Sequence, residues 1–215
     1  MENFDRGQPR ADRNKLESPL EELFAQNIEK YLSPNAEIYP QFPVKTLLGN
    51  FRLDFVVEVM GKKVGFECDG KEFHDDYRDE WRDGMILEAG GVDIIYRFRG
   101  KDIFSFLEDC IYVVFENDPW LFSDRYPHFF EKLVHRSTIE HFSVKKEYGS
   151  QGEDDIINVV FVDDNGKTNA GMFLHTIRRS NDFDGHWRSL ARFASPHGGK
   201  TLDEVINIYK EQKRC

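Results

Sequence analysis

The chain has 215 residues, with 40% hydrophobic and 32% charged side chains and a formal net charge of −10. That describes a folded chain with enough residues for a substantial core, in one domain or a core plus an appendage, and excludes a disordered tail or a simple basic coat for nucleic acid. The acidic excess is local, because residues 1–135 carry 27 acidic and 17 basic side chains while residues 136–215 carry 12 of each.

Residues 1–15 are polar, with neither the apolar core of a signal peptide nor the composition of a transit peptide. No apolar run approaches the roughly 20 residues that cross a bilayer. Cys68, Cys110 and Cys215 are scattered and odd in number. They read as reduced thiols of a cytoplasmic protein rather than a disulfide framework.

A helix is expected from Ser18-Pro19, with serine as N-cap, proline at the first helical position and Glu21 completing a capping box. Leu20, Leu23, Phe24, Ile28 and Tyr31 recur at helical spacing, and Ser33-Pro34 stops the run. Strands follow at about 37–44, 50–60 and 63–70, then a helix at about 76–89 closed by Gly90-Gly91. A strand at about 92–98 leads into a long apolar helix at about 102–116. Residues 119–127 read as a connector. Beyond it come a helix near 127–136 and a hairpin of strands 156–164 and 167–177, with Asn165-Gly166 as a type I′ turn. A last helix, about 202–213, opens on a Thr201 to Glu204 capping box. The chain divides into a mobile segment 1–15, a core 16–120 and a C-terminal α+β extension 121–215.

The segment 51–71, FRLDFVVEVMGKKVGFECDGK, carries the chemistry. In its first strand Leu53, Phe55, Val57 and Val59 share one face, with Arg52, Asp54 and Glu58 on the other. In its second strand Glu67, Asp69 and Lys71 alternate with Val64, Phe66 and Cys68. A turn at Met60-Gly61 sets Asp54 opposite Glu67; a turn at Gly61-Lys62 sets it opposite Asp69. Both registers gather the three carboxylates on one face. Like charges so placed repel, and a divalent cation would relieve them. Mg²⁺ favours such oxygen ligands, can polarise a phosphoryl oxygen and lowers the pKa of an attacking water. An acidic sheet edge facing solvent and a structural ion site are the competing readings. Removing Asp54 is expected to relieve repulsion in the metal-free chain.

Asp54, then Glu67-Cys68-Asp69-Gly70, then His74, resembles the metal site of PD-(D/E)XK nucleases, and the Glu-x-Asp-Gly form is similar to the branch related to very-short-patch repair endonucleases. Arg82-Asp83, the helix ending at Gly90-Gly91 and the strand ending in Arg-Phe extend the likeness over about residues 16–110. The resemblance implies an α/β (α+β) restriction-endonuclease-like fold: an αβββαβ core with a mixed sheet flanked by helices, here followed by the extension with its hairpin. It also implies hydrolysis of phosphodiester bonds in DNA, with RNA left open, using Mg²⁺ or Mn²⁺. Asp54, Glu67 and the Cys68 backbone carbonyl would hold the ion. The position usually held by lysine is Asp69, and Lys71 offers a displaced ammonium.

Glu21 matches a glutamate that many such nucleases carry on the first helix and extends the metal shell, unless it only caps. In the very-short-patch repair branch a histidine at this place lines the site, so the resemblance implies that His74 could move a proton. Arg82 holds its helix to the acidic sheet or touches phosphate. Arg97, Arg99 and Lys101 form a basic point suited to phosphate. His175, His186 and His197 lack the close pairing of a zinc site. The rival expectation is a non-catalytic module that keeps the nuclease fold to bind nucleic acid or a protein partner.

Overall fold

In the computed structural model of the chain, residues 8–70, 76–124, 132–148, 156–163, 165–179 and 186–214 are described. Ser18 caps helix α1 (Pro19–Ile28) by accepting the Glu21 N–H. Three strands follow, β1 (Glu37–Thr46), β2 (Gly49–Val59) and β3 (Lys62–Asp69). Helix α2 (Asp76–Glu88) carries the chain to β4 (Ile94–Arg99). The apolar run after it is two helices, α3 (Gly100–Ser105) and α4 (Leu107–Asn117), because Phe106 leaves helical geometry at φ −140, ψ 41.

Helix α5 spans Arg136–Tyr148, C-terminal to the helix expected near 127–136, half of which (127–131) lies outside the described residues. Strands β5 (Ile156–Val162) and β6 (Thr168–Arg178) form the expected hairpin. Its turn differs from the expectation: Gly166 donates its N–H to the Asp163 carbonyl and Asp163 donates to Lys167. Gly166, at φ 77, therefore closes onto Asp163 rather than sharing the centre of a two-residue turn with Asn165. Helices α6 (His186–Ala194) and α7 (Leu202–Gln212) end the chain, and both halves of the Thr201–Glu204 capping box form.

The strands make one six-stranded mixed sheet in the order β1-β2-β3-β4-β6-β5. Among the described residues only β3 and β4 run parallel, on either side of α2 in the chain, while the other pairs are antiparallel. The C-terminal hairpin therefore continues the sheet, since β6 pairs with β4 from Ile94↔Arg178 to Phe98↔Leu174.

Two apolar layers clamp the sheet. On one side Phe55, Val57, Val59, Phe66, Tyr96 and Phe98 pack beneath α1 and α4. Phe24 anchors α1 there, its ring 4.8 Å from Phe98, 5.8 Å from Phe66 and 5.9 Å from Phe55. On the other side Val56 and Ile95 pack against Ile86 and Leu87 of α2 and Trp187 of α6. A third cluster, built on Trp81 with Leu190, Val205 and Ile206, locks α2 to α6 and α7. Cys68 and Cys110 are free and buried. Among the described residues no helix is long and apolar enough to cross a membrane.

The expected alternation along β2 fails at one place. Leu53 lies with Val56 and Ile95, across the sheet from Phe55, Val57 and Val59. The faces change at Asp54, beside Gln41 of β1, which holds φ 52 between the pairs Pro40↔Phe55 and Phe42↔Leu53.

Candidate metal and phosphate site

The β2–β3 register settles the turn. Phe55 pairs with Phe66 and Val59 with Lys62, so Met60-Gly61 is the two-residue turn and Asp54 lies across from Glu67. Met60 and Gly61 stand at φ 52 and φ 78, the positive pair that a type I′ turn requires. The ladder's last pair is Phe55↔Phe66. Just past it Asp54 Oδ2 accepts the Cys68 backbone N–H at 2.7 Å, standing in for a ladder bond.

Glu67 and Asp69 face α2. Arg82 Nη2 donates to Glu67 Oε1 at 2.7 Å, so Arg82 holds its helix to the acidic sheet. Arg97, across the parallel ladder from Glu67, gives Asp83 two bonds, from Nε at 2.6 Å and Nη2 at 2.7 Å, and its Nη1 reaches Asp69 at 3.2 Å. Arg97 is 7% exposed and Asp83 fully buried. Its charge is therefore committed inside the protein.

Glu21, one turn before Phe24 on α1, is also buried. Its carboxylate accepts the Glu17 N–H at 2.9 Å and the Gln41 side-chain amide at 2.8 Å. It does not return to Ser18, so only half of the expected capping box forms and the side chain turns toward the β1–β2 kink.

These four carboxylates share one electrostatic neighbourhood. Burial pushes the Cys68 thiol up, and Asp54, Glu21, Glu67 and Asp69 push it further. Burial raises Asp54 to about 6; the Cys68 N–H opposes this, Glu21 and Asp69 add to it, and Arg82 lowers it. Burial likewise raises Glu67 to about 8, outweighing Arg82 and Arg97, with Asp54 and Asp83 adding to the rise. The 2.7 Å contact with Arg82 and the raised pKa pull in opposite directions, and desolvation wins because the carboxyl is nearly closed off from water.

Among the described residues no group of three or more His, Cys, Asp or Glu side chains is arranged to hold a metal ion. Each of the four carboxylates is drawn to its own partner. The donor chemistry nonetheless suits a hard cation: Asp54, Glu67 and the Cys68 carbonyl all offer oxygen. Mg²⁺ commonly takes one or two carboxylates and completes its shell with water and substrate phosphate.

Lys71 and His74 lie outside the described residues. Arg99 is held by Asp102, Nε to Oδ2 at 2.7 Å, and Lys101 is exposed at the start of α3. Beside the acidic group opens a cleft of about 670 Å³, walled by Asp69, Tyr77, Arg97, Arg99, Phe173 and His175 among others. Two of these six, Phe173 and His175, come from the C-terminal hairpin. His175 has no role legible in the sequence, since the pairing Arg97↔His175 is what brings it beside the site. Asp83 is the other consequential residue: its place next to Arg82 was the one local hint.

Compared with protein-family models, curated proteins and solved structures, the chain matches none.

Proposed function

We propose that the chain is a divalent-metal-dependent endonuclease of the PD-(D/E)XK type, hydrolysing phosphodiester bonds in DNA. The observation that carries this reading is the gathering of Glu21, Asp54, Glu67 and Asp69 around Cys68, where the β2–β3 ladder stops. Burial there makes negative charge costly on Asp54 and Glu67, and a bound cation is the natural relief. The order α1-β1-β2-β3-α2-β4, with β3 parallel to β4, supports the restriction-endonuclease-like arrangement that the motifs imply.

Asp54, Glu67 and the Cys68 carbonyl would hold Mg²⁺ or Mn²⁺, with Glu21 extending the shell. When bound, such an ion polarises the phosphoryl oxygen and activates the attacking water. Arg82 steadies Glu67, and Arg97 fixes Asp69 beside the cleft through which substrate would enter.

A second reading has its own support. Arg82 and Arg97 already neutralise Glu67 and Asp69, and Asp69 replaces the usual lysine, which suits a fold retained for binding alone. Supercoiled plasmid incubated with the pure protein and Mg²⁺ or Mn²⁺ separates the two. Nicking that disappears with EDTA and in Asp54→Ala supports the nuclease. Binding without cleavage of any DNA or RNA supports the module, and nicking that survives both controls is contamination.

A further inference from the structure

The cleft beside the acidic group has a wall that the nuclease reading leaves unused. Arg99 and Phe173 stand next to each other where β4 and β6 continue the pairs Arg97↔His175 and Phe98↔Leu174. The Arg99 guanidinium lies 4.8 Å from the centre of the Phe173 ring. One buried carboxylate organises both residues: Asp102 Oδ2 accepts Arg99 Nε at 2.7 Å and the Phe173 backbone N–H at 3.1 Å. Asp102 is 1% exposed whereas the Arg99 side chain is 40% exposed.

This arrangement preorganises a cation. The stem-side nitrogen of Arg99 is tied down, the ring supports the guanidinium plane, and the two terminal amino groups have no bonding partner among the described residues. That is the geometry in which arginine grips a phosphate with two parallel bonds. His175, half-buried on the same wall, has no side-chain hydrogen bond among the described residues and adds another nitrogen. Arg97 is unsuited to this task because Asp83 and Asp69 occupy it. Tyr77 and Ile156 add apolar surface, while the carboxylates Asp69, Asp79 and Glu80 also line the cleft. At about 670 Å³ the space falls within the range of small-ligand sites.

We propose that this cleft is a nucleotide subsite: a backbone phosphate sits on Arg99 and His175, and the attached base is unpaired and lodges against Phe173 and Tyr77. The inference rests on the nuclease reading for the course of the strand past Asp54 and Glu67. It assigns the C-terminal hairpin a direct part in holding substrate. It also makes single-stranded nucleic acid, or a nucleotide turned out of a duplex, the ligand.

The test measures binding without cleavage. A short fluorescein-labelled oligothymidylate is titrated in EDTA, and its anisotropy is followed over a range of salt concentrations. Arg99→Gln keeps a donor for Asp102 but removes the charge. It is expected to weaken binding about tenfold and to flatten the log–log salt dependence by about 0.7, the loss of one phosphate contact on a single strand. Arg99→Lys keeps the charge and loses the fork, so affinity falls while the salt slope stays. Phe173→Leu is expected to cost roughly tenfold through lost stacking, and His175→Ala a smaller factor. Thermal melts establish that each variant is folded, and Arg99→Lys serves if Arg99→Gln is not. Wild-type protein that does not bind the oligonucleotide, or folded Arg99 variants with wild-type affinity and slope, overturns the subsite. Failure of the nuclease reading appears separately, as intact plasmid with metal present while these binding effects persist.

Discussion

Asp54 accepts the Cys68 backbone N–H at 2.7 Å across the opening of the β2–β3 ladder. One oxygen thus does the work of a missing strand–strand bond while the carboxylate remains among Glu21, Asp69 and Arg82. Removing it therefore does more than relieve repulsion. Asp54→Ala leaves the Cys68 N–H without its acceptor and is expected to cost about 1–3 kcal/mol, against the sequence expectation of a gain. Asp54→Asn retains a carbonyl oxygen and separates the two effects. Mg²⁺ or Mn²⁺ should raise the melting temperature of the wild type by mass action, and the shift should vanish in Asp54→Asn. An undiminished shift in that variant would place the ion elsewhere.

Glu67 and Asp54 give stability a definite pH dependence. Burial raises Glu67 from 4.5 to about 8 and Asp54 from 3.8 to about 6. The folded state then holds protons that the unfolded chain has released, so stability falls as pH rises. The fall spans about 4 to 6 for Asp54 and about 4.5 to 8 for Glu67. Glu67→Gln should flatten the upper part of the profile, between about 6 and 8, above the range of Asp54. Urea midpoints measured across this range provide the check, and a variant as steep as the wild type there would refute the assignment to Glu67.

How much of this was legible in the sequence depends on the range of the signal. Helix α1, the β2–β3 hairpin, α2, β4 and the Thr201 cap follow from spacing and capping within a few residues. Asp54, Glu67 and Asp69 stood out because strand alternation puts them among apolar neighbours. The register stayed open because methionine is not a turn signal, and Met60 holds its left-handed φ only because the two flanking strands demand it. Leu53 broke the alternation through a kink that begins in β1, at Gln41. Helix α5 mixes β-branched and polar residues around Thr138 and Phe142, and its buried side reveals itself only against β5 and α4. The partnership of Arg97 with Asp83, the pairing of β6 with β4 and the turn of Glu21 toward Gln41 all join distant segments. No local pattern encodes them.

Met60 offers a prediction free of the site. It is 80% exposed and sits at φ 52 in the first central position of the type I′ turn. Asparagine tolerates that region far better than an unbranched apolar side chain, and Asn-Gly is the preferred pair for this turn. Met60→Asn is expected to stabilise the protein by about 0.5–1 kcal/mol. Chemical denaturation measures the gain, and a lower midpoint for Met60→Asn would mean that the Met60 side chain contributes contacts that outweigh its backbone strain.

Arg97 tests whether the charged layer under α2 is a unit. Its guanidinium binds both oxygens of Asp83, which has no exposure to solvent, and reaches Asp69 at 3.2 Å. Arg97→Ala strands the Asp83 carboxylate in a low-dielectric interior and is expected to cost about 3–5 kcal/mol. Arg97→Lys preserves the charge but not the fork, so its cost should fall between wild type and alanine. The informative variant is the pair Arg97→Met with Asp83→Leu. If the loss in Arg97→Ala arises from an abandoned Asp83 charge, replacing both partners with apolar groups should recover most of it. A double variant as unstable as the sum of its two single substitutions would locate the effect in packing between α2 and β4 instead. Recovered stability would in turn allow Asp69, released from Arg97, to be examined for its effect on metal-dependent stabilisation in an otherwise folded protein.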